Sequence, residues 1–205
     1  MSNRILTAYS LTAGETTIIS QNFTTHNDWT KAVFDPIKQN IISHLRVQQN
    51  NLCCYCKYQL GFDIKHVDIE HIIPKSEYSK FTFKTLNLAL SCPQCNTKKS
   101  TKPVLHNAIV NYPVNGTNFK IIHAHYDDYS NHIDILQNCL FVAKTSKGSE
   151  TITFCELFRL STVEQRAKAY QNIGPNILEQ LVGDLTNPHT QNKQQLIDII
   201  KNAIK

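Results

Sequence analysis

Two pairs of cysteines, each with the spacing Cys-x-x-Cys, are the feature of this sequence that most constrains its fold. The first pair is Cys53 and Cys56, and the second is Cys92 and Cys95. Two thiolates three residues apart on a tight turn can both face one ion at about 2.3 Å, and two such turns complete a tetrahedral site. The spacing therefore predicts a closed structural Zn²⁺ site. Iron held by the same thiolates, or no metal at all, are the alternatives.

The remaining cysteines argue against a disulfide framework. The chain has seven cysteines, and the two pairs leave Cys54, Cys139 and Cys155. Because Cys54 lies only two residues from Cys56, we interpret it as a bystander. An odd number of cysteines that includes metal-binding pairs predicts a reducing, cytoplasmic location. No apolar run reaches the roughly 20 residues that span a bilayer, and the start MSNRILTAYS lacks the apolar core of a secretory signal, so we expect no membrane attachment.

Composition adds weaker constraints. Hydrophobic residues make up 41% of the 205 residues and charged residues 18%, which is ordinary for a globular protein. The net charge of +5 favours a polyanionic partner by electrostatic attraction. A modest excess of this size also occurs on proteins that bind no nucleic acid, so charge alone does not decide the partner.

Local signals before the second cysteine pair predict short elements. Residues 1–25 are rich in Thr, Ser and Asn and predict extended or irregular chain. Asp35 and Pro36 predict the start of a helix, with Asp35 accepting a hydrogen bond from the free amides of the first turn. The polar run 48–51 predicts the end of that helix. Residues 62–70 show alternating character and predict a strand.

The predicted strand ends at Glu70 and His71, between the two cysteine pairs. Residues 75–85 then predict an exposed, basic loop, and residues 86–90 predict a short second strand or turn. The segment 95–100 predicts the opening of a helix. Two strands and a helix around a metal constitute a ββα-metal unit.

The motif residues resemble the zinc-knuckle branch of the HNH endonucleases, which are also known as His-Me finger nucleases. The matching positions are Cys53-x-x-Cys56, Glu70-His71-Ile72-x-Pro74, Asn87-Leu88 and Cys92-x-x-Cys95-Asn96-x-x-Lys99. The resemblance covers about a quarter of the chain. It implies a ββα-metal fold and the hydrolysis of phosphodiester bonds in nucleic acid, with DNA favoured and one divalent metal required.

Other segments resemble one subfamily more loosely. The helix before the first cysteine pair, the segment 126–132 and the pair Thr151-Ile152 are similar to the HNH effectors of Septu-type and retron-linked anti-phage systems. This resemblance implies a role in defence beside an ABC-type ATPase partner.

The chemistry of the acid-His pair can also be argued from residue types. Phosphodiester hydrolysis needs a base for water and a cation for the developing charge. His71 fits the base because a neutral imidazole accepts a proton near neutral pH. Glu70 and Asn96 offer the oxygen ligands that Mg²⁺ or Mn²⁺ prefers, and Asp68 is a competing or additional ligand. Alternatively, His71 is an ordinary histidine and Glu70 orients a metal-bound water.

Further motif positions predict supporting roles. The resemblance assigns Asn87 to bracing the loop that carries the base. Alternatively, Asn87 is an ordinary turn residue. Lys99 lies one helical turn after Asn96 and is a candidate contact for a substrate phosphate, as are Lys98 and Lys75. Solvated lysines on a helix are the alternative.

Beyond Pro103 the signals concern packing more than chemistry. Asn115-Gly116 predicts a turn, and the strand after it would carry Phe119, Ile121, His123 and His125 on one face. His123, His125, Asp127, Asp128 and His132 allow a second metal site, with a packing or substrate-contacting role preferred. Residues 140–143 and 151–154 flank Lys147-Gly148 and predict a β-hairpin.

The last segment predicts helices. Ser161-Thr162-Val163-Glu164 forms a capping box before a helix that Gly174-Pro175 closes. Asn187-Pro188 opens another helix, whose apolar stripe is core or a docking face for a partner. The stripe consists of Leu196, Ile199, Ile200, Ala203 and Ile204.

Together these signals predict an α+β protein with an embedded ββα-metal unit. Four segments follow: an N-terminal segment with a supporting helix (1–50), the HNH module (51–103), a β-rich extension (104–160) and C-terminal helices (161–205). Two other functions stay open. One is a non-catalytic zinc module that binds nucleic acid or a partner protein, and the other is a restriction-type HNH nuclease.

Overall fold

The computed structural model describes residues 4–63, 66–136 and 140–159. Its main elements, in chain order, are helices α1 (Ala13–Asn22) and α2 (Asp35–Gln48), strands β1 (Asp68–His71) and β2 (Leu88–Ser91), helix α3 (Pro93–Lys99), strands β3 (Ile133–Leu136) and β4 (Leu140–Ala143) and helix α4 (Ser146–Phe154). The mixture of helices and strands confirms the predicted α+β class. No helix within these ranges has the length and apolar character needed to cross a membrane.

Helix α1 contradicts the extended or irregular chain predicted for residues 1–25. Thr12 caps the helix by accepting a hydrogen bond from the amide of Glu15 at 3.2 Å, and Glu15 accepts one from the Thr12 amide at 2.8 Å. The same carboxylate accepts hydrogen bonds from Tyr9 and from Asn40 of α2. This reciprocal cap stabilises a helix whose threonines and isoleucines are poor helix formers.

Helix α2 confirms the predicted start and end. Its side chains at Ile37, Ile41 and Leu45 are fully buried, as expected for an amphipathic helix. The proposed capping role of Asp35 is wrong, because Phe34 occupies the cap position and Asp35 forms an ion pair with Lys38 at 2.6 Å. Asn50 and Asn51, directly after the helix, have positive φ, so the polar run ends it as predicted.

Strands β1 and β2 and helix α3 form the predicted ββα unit. The strands pair antiparallel, with Asp68 opposite Ser91 and His71 opposite Leu88. Helix α3 contacts β1. The strand predicted from residue 62 begins only at Asp68, and the Phe62 side chain is 84% exposed. Among the described residues of this stretch, 62–63 and 66–67 lie outside the strand, so the predicted start is too early.

The outer edge of β2 is covered by groups from before the first cysteine pair. The Gln49 side chain accepts a hydrogen bond from the Leu90 amide at 2.7 Å and donates one to the Leu90 carbonyl at 2.9 Å. The Cys54 amide donates to the same carbonyl at 2.9 Å. The amide side chain of Gln49 thus bonds Leu90 as the backbone of a neighbouring strand would.

The loop between β1 and β2 is not the exposed segment that was predicted for residues 75–85. Phe81, Thr82 and Phe83 are buried. The Phe83 ring packs against the rings of Phe34, at 4.8 Å, and Trp29, at 5.1 Å between centroids. The aromatic residues therefore draw the second half of the loop into the core.

The chain after Pro103 also departs from its predicted elements. Residues 119–125 form no regular strand, although Phe119, Ile121, His123 and His125 are all buried. The shared inward orientation was correct, but the backbone is held by turns and by one isolated bridge between Leu105 and Phe119.

The hairpin predicted around Lys147-Gly148 is wrong. Residues 140–143 pair instead with β3, and 151–154 belong to helix α4. Thr145 caps α4 by accepting a hydrogen bond from the Gly148 amide at 3.2 Å. A Cβ on Gly148 would lie 2.0 Å from the His132 carbonyl oxygen, so this glycine permits close packing of two segments. The helices predicted within 161–205 lie outside the described residues.

Candidate active site and metal centre

The four predicted cysteines form a metal-binding cluster. Their sulfur atoms all lie within 4.8 Å of one another, and the Cys56 and Cys92 sulfurs are 3.9 Å apart. A tetrahedron of thiolates at 2.3 Å from zinc has edges of about 3.8 Å, so the arrangement fits Zn²⁺. Cys53 and Cys56 lie on the turn after α2, Cys92 is the residue before α3, and Cys95 lies within α3. The zinc knuckle therefore joins the start of the HNH-like unit to its helix.

Cys54 lies outside the sulfur cluster, as predicted. Its side chain is buried, and burial raises the pKa of its thiol well above the usual range, with the neighbouring Cys53 adding to the effect. Cys54 is set apart from the cluster by the position of its sulfur, since among the described cysteines only the four of the two pairs bring their sulfur atoms together. Cys155 is likewise buried with a raised pKa, and Cys139 lies outside the described residues.

A cavity of about 440 Å³ lies beside β1 and α3. It brings together the predicted site residues Asp68, Glu70, His71, Lys75, Asn96 and Lys99. Ser76, Thr97, Ser100 and Thr101 add further polar groups, and Trp29, Ile69 and Pro74 are the apolar lining. The cavity is therefore polar, with one large aromatic side chain in its wall.

His71 is held as a neutral imidazole. Its Nε2 lies 3.1 Å from the Thr82 carbonyl oxygen, and a carbonyl only accepts, so Nε2 carries the proton. The lone pair is then on Nδ1. The Trp29 ring packs edge-to-face on the imidazole at 4.6 Å. Burial, together with the positive charges of Lys75 and Lys99, lowers the pKa of His71 to about 3.

Asp68 and Asn96 meet across the cavity. The Asn96 amide nitrogen donates a hydrogen bond to the Asp68 carboxylate at 2.8 Å. Both side chains are half-buried. No cation of the described residues lies within ion-pair distance of Asp68. This is the carboxylate in the cavity whose charge is least compensated.

Glu70 and Lys99 form a buried ion pair beside the cavity. Their charged atoms are 2.5 Å apart, and the two side chains are 1% and 2% exposed. Tyr55 donates a further hydrogen bond to Glu70 at 3.1 Å, and Lys99 also donates to the His71 carbonyl. Lys99, predicted as a contact for substrate phosphate, is thus committed to fixing Glu70 and the backbone of His71.

The other predicted lysines differ in their surroundings. Lys75 is half-buried and lines the cavity. Lys98 is exposed and forms an ion pair with Glu156 at 2.8 Å.

Asn87 joins the two ends of the loop that follows His71. Its amide nitrogen donates to the carbonyls of Ile73 at 3.0 Å and Phe81 at 3.2 Å. Its amide oxygen accepts from the Ile73 amide at 2.7 Å. Because Phe81 adjoins Thr82, whose carbonyl orients His71, Asn87 sets the position of that carbonyl.

Tyr112, which sequence reasoning missed, and His123 support Asn87 from outside the motif. The Tyr112 hydroxyl lies 3.2 Å from the Asn87 amide oxygen and 2.8 Å from Nε2 of His123. Nδ1 of His123 accepts from the His125 amide, so His123 donates through Nε2 to Tyr112, which donates on toward Asn87 or the Leu86 carbonyl. A directional chain of hydrogen bonds therefore reaches the site.

The alternative of a second metal site among the later histidines and aspartates is wrong. Over the ranges that the structure describes, no three of these histidine and aspartate side chains bring their ligand atoms together as the four cysteines do. Asp127 instead pairs with Lys147 at 2.9 Å and accepts from the His123 amide. His125 bonds the Leu88 carbonyl of β2 at 2.8 Å. These residues pack the extension against the module.

Comparison with known proteins agrees with this geometry. Residues 53–102, which contain the cysteine pairs and the ββα unit, match the HNH endonuclease family. The chain is also similar to the Septu protein PtuB of Bacillus thuringiensis, with 33% identity over 111 residues. That match covers 54% of this chain and 38% of the relative, so the chain spans well under half of the relative's length. The resemblance to HNH endonucleases and to Septu-type effectors is confirmed.

Proposed function

We propose that this protein is a metal-dependent endonuclease of anti-phage defence that hydrolyses phosphodiester bonds in nucleic acid, with DNA favoured. The observation that carries the proposal is the neutral His71, whose bond to the Thr82 carbonyl leaves the lone pair on Nδ1. The imidazole lines the same cavity as the facing Asp68 and Asn96. A base beside oxygen ligands is the arrangement that metal-assisted hydrolysis requires.

His71 acts as the general base in this proposal. Nδ1 accepts a proton from the attacking water, and the Thr82 carbonyl holds the imidazole while the charge forms. A carbonyl opposite Nε2 stabilises the imidazolium because that nitrogen remains a donor. Asn87 acts as a positioning residue that fixes the Thr82 segment.

Asp68 and Asn96 are the side chains that would hold the divalent ion, with Glu70 as the neighbouring candidate. Oxygen ligands of this kind suit Mg²⁺ or Mn²⁺. The Glu70 charge is already offset by Lys99, whereas that of Asp68 is not, which favours Asp68 as the charged ligand. Such an ion supplies positive charge for the phosphoryl and leaving oxygens. The second metal, Zn²⁺ in the closed Cys₄ site, has a structural role.

Lys75 is the candidate contact for a substrate phosphate, since it lines the cavity and its ammonium lies near enough to affect His71. The similarity to a Septu protein supports a defence role, and an ABC-type ATPase is the partner that we propose.

The test compares His71→Ala with His106→Ala, a matched change of an exposed histidine outside the cavity. Plasmid nicking is measured with Mg²⁺, and phage plating is measured in cells that carry the intact defence locus. Loss of both readouts in His71→Ala alone is expected, with zinc content unchanged. Retained nicking in His71→Ala contradicts the base assignment, whereas protection that persists although neither protein nicks the plasmid favours a non-catalytic zinc module.

A further inference from the structure

Trp29 is a cavity residue that lies outside the HNH module. It belongs to a short 3-10 turn (His26–Thr30) before helix α2, yet its indole lines the cavity beside His71. The side chain is half-buried, so part of the ring stays accessible. A large aromatic surface in an otherwise polar cavity has no role in the hydrolytic step itself.

The indole is held in place from several directions. Its ring lies 5.1 Å from that of Phe83 and 4.6 Å from the imidazole of His71. The Lys38 ammonium lies 5.7 Å from the ring centroid and donates to the Trp29 carbonyl at 3.3 Å. An aromatic side chain fixed in this way offers contact area at low entropic cost.

We propose that Trp29 binds the base of an unpaired nucleotide next to the phosphate that is cut. This inference rests on the proposed nuclease function and names the state of its substrate. Lys75 in the same cavity offers a cation for the phosphate, and Trp29 offers an apolar face for the base. A base inside a duplex hides its faces in the stack, so contact with an indole requires an unpaired strand. A cavity of about 440 Å³ is within the range that encloses a small ligand, which suits one nucleotide better than a duplex.

The chain contains a single tryptophan, so its fluorescence reports on this site alone. A short single-stranded oligothymidylate is titrated into the intact protein in magnesium-free buffer without chelator, which keeps the structural zinc and prevents cleavage. Trp29 emission and the anisotropy of the labelled strand are followed together. We expect an emission change that saturates with binding, and none with the matching oligothymidylate–oligoadenylate duplex.

Substitutions of Trp29 distinguish a contact with the base from a role in packing the fold. Trp29→Ala should weaken single-strand binding roughly five-fold or more, the effect expected from loss of one base-aromatic contact. Trp29→Phe should keep most of the affinity, and Phe62→Ala, which removes an exposed aromatic ring elsewhere, should leave it unchanged. Thermal unfolding of each variant checks that the fold is intact.

The outcomes distinguish this inference from the proposed function. Binding without an emission change, equal binding by Trp29→Ala, or an equal emission change with the duplex overturns the Trp29 contact and leaves a nuclease role standing. A saturating emission change in a protein that shows no cleavage with any divalent metal supports the Trp29 contact and contradicts the nuclease function. Absence of single-strand binding overturns the Trp29 contact, and the plasmid-nicking assay with Mg²⁺ then decides the nuclease role separately.

Discussion

The ammonium group of Lys99 lies 2.5 Å from the carboxylate of Glu70, and both side chains are almost completely buried. Burial raises the pKa of the Glu70 carboxyl, and the charge and hydrogen bond of Lys99 oppose that rise. The pair therefore places a carboxyl group next to His71 with its charge offset by Lys99.

Replacing only Lys99 should lower the free energy of unfolding more than replacing both Lys99 and Glu70. Lys99→Met leaves Glu70 buried without its cation, and we expect the free energy of unfolding to fall by about 3–5 kcal/mol. The double variant Glu70→Gln, Lys99→Met should recover a large part of that loss because no unpaired charge remains. Urea denaturation of both variants measures the difference. Equal stability of the single and double variants would contradict the expectation that burying Glu70 without its cation is what destabilises Lys99→Met.

Tyr112→Phe should weaken the support of Asn87 without changing any residue that lines the cavity. The lost hydroxyl leaves Nε2–H of His123 without its acceptor and removes one donor near Asn87. A buried polar group left unsatisfied costs about 1–3 kcal/mol. We expect that loss in urea denaturation, together with slower cleavage at unchanged substrate affinity. Tyr78→Phe, which removes a hydroxyl bonded to the Ile109 amide, is the control and should retain the wild-type cleavage rate.

Buried neutral histidines should make stability depend on pH. Burial lowers the pKa of His123 well below its usual value, and the charges of His125 and Lys147 add to the effect. The unfolded chain takes up the proton near pH 6.5 and the folded chain does not, so this contribution is present above about pH 6.5 and is lost as pH falls. For each such histidine, the free energy of unfolding falls by about 1.4 kcal/mol per pH unit below that pH.

His123→Gln tests this dependence because glutamine can still donate toward Tyr112 and does not titrate. Its free energy of unfolding should fall less steeply between pH 6.5 and about pH 5 than that of the wild type, by about 1.4 kcal/mol per unit. Parallel curves for the two proteins would mean that His123 binds protons equally in both states.

Cys92→Ser and Cys54→Ser differ by position relative to the sulfur cluster. Cys92→Ser removes one of four thiolates, and we expect less bound zinc and a lower thermal midpoint. Cys54→Ser should keep its zinc, since its sulfur is not part of the cluster. Metal content by mass spectrometry decides the matter, and equal zinc in both variants would contradict the structural assignment.

The module could be predicted from the sequence because metal binding fixes residue types and spacing. Two Cys-x-x-Cys pairs define a tetrahedron, and the acid-His pair between them has few alternatives in chemistry. Helix α1 was missed because its cap consists of two ordinary residues, Thr12 and Glu15, in a stretch with poor helix formers. Gly148 was interpreted as a turn residue, whereas it serves a close approach to His132.

The supporting residues could not be predicted because they act through tertiary contacts. Tyr112 and Asn87 are 25 residues apart, and neither carries a signal for the other. Trp29 precedes the module and reaches the cavity only through the packing of Phe83 and Lys38. The preferred packing role of His123 and His125 agrees with the structure, but their hydrogen-bond partners Tyr112 and Leu88 could not be predicted for the same reason.

A two-stranded sheet has two edges and no interior, so β2 would ordinarily present a free edge to other chains. The Gln49 side chain and the Cys54 amide occupy the backbone groups of Leu90 on that edge. Exposed strand edges promote association by strand addition, including aggregation. The backbone groups of Leu90 are therefore satisfied within the chain, and Gln49→Ala would leave the Leu90 amide without its acceptor while the Cys54 amide still bonds the Leu90 carbonyl.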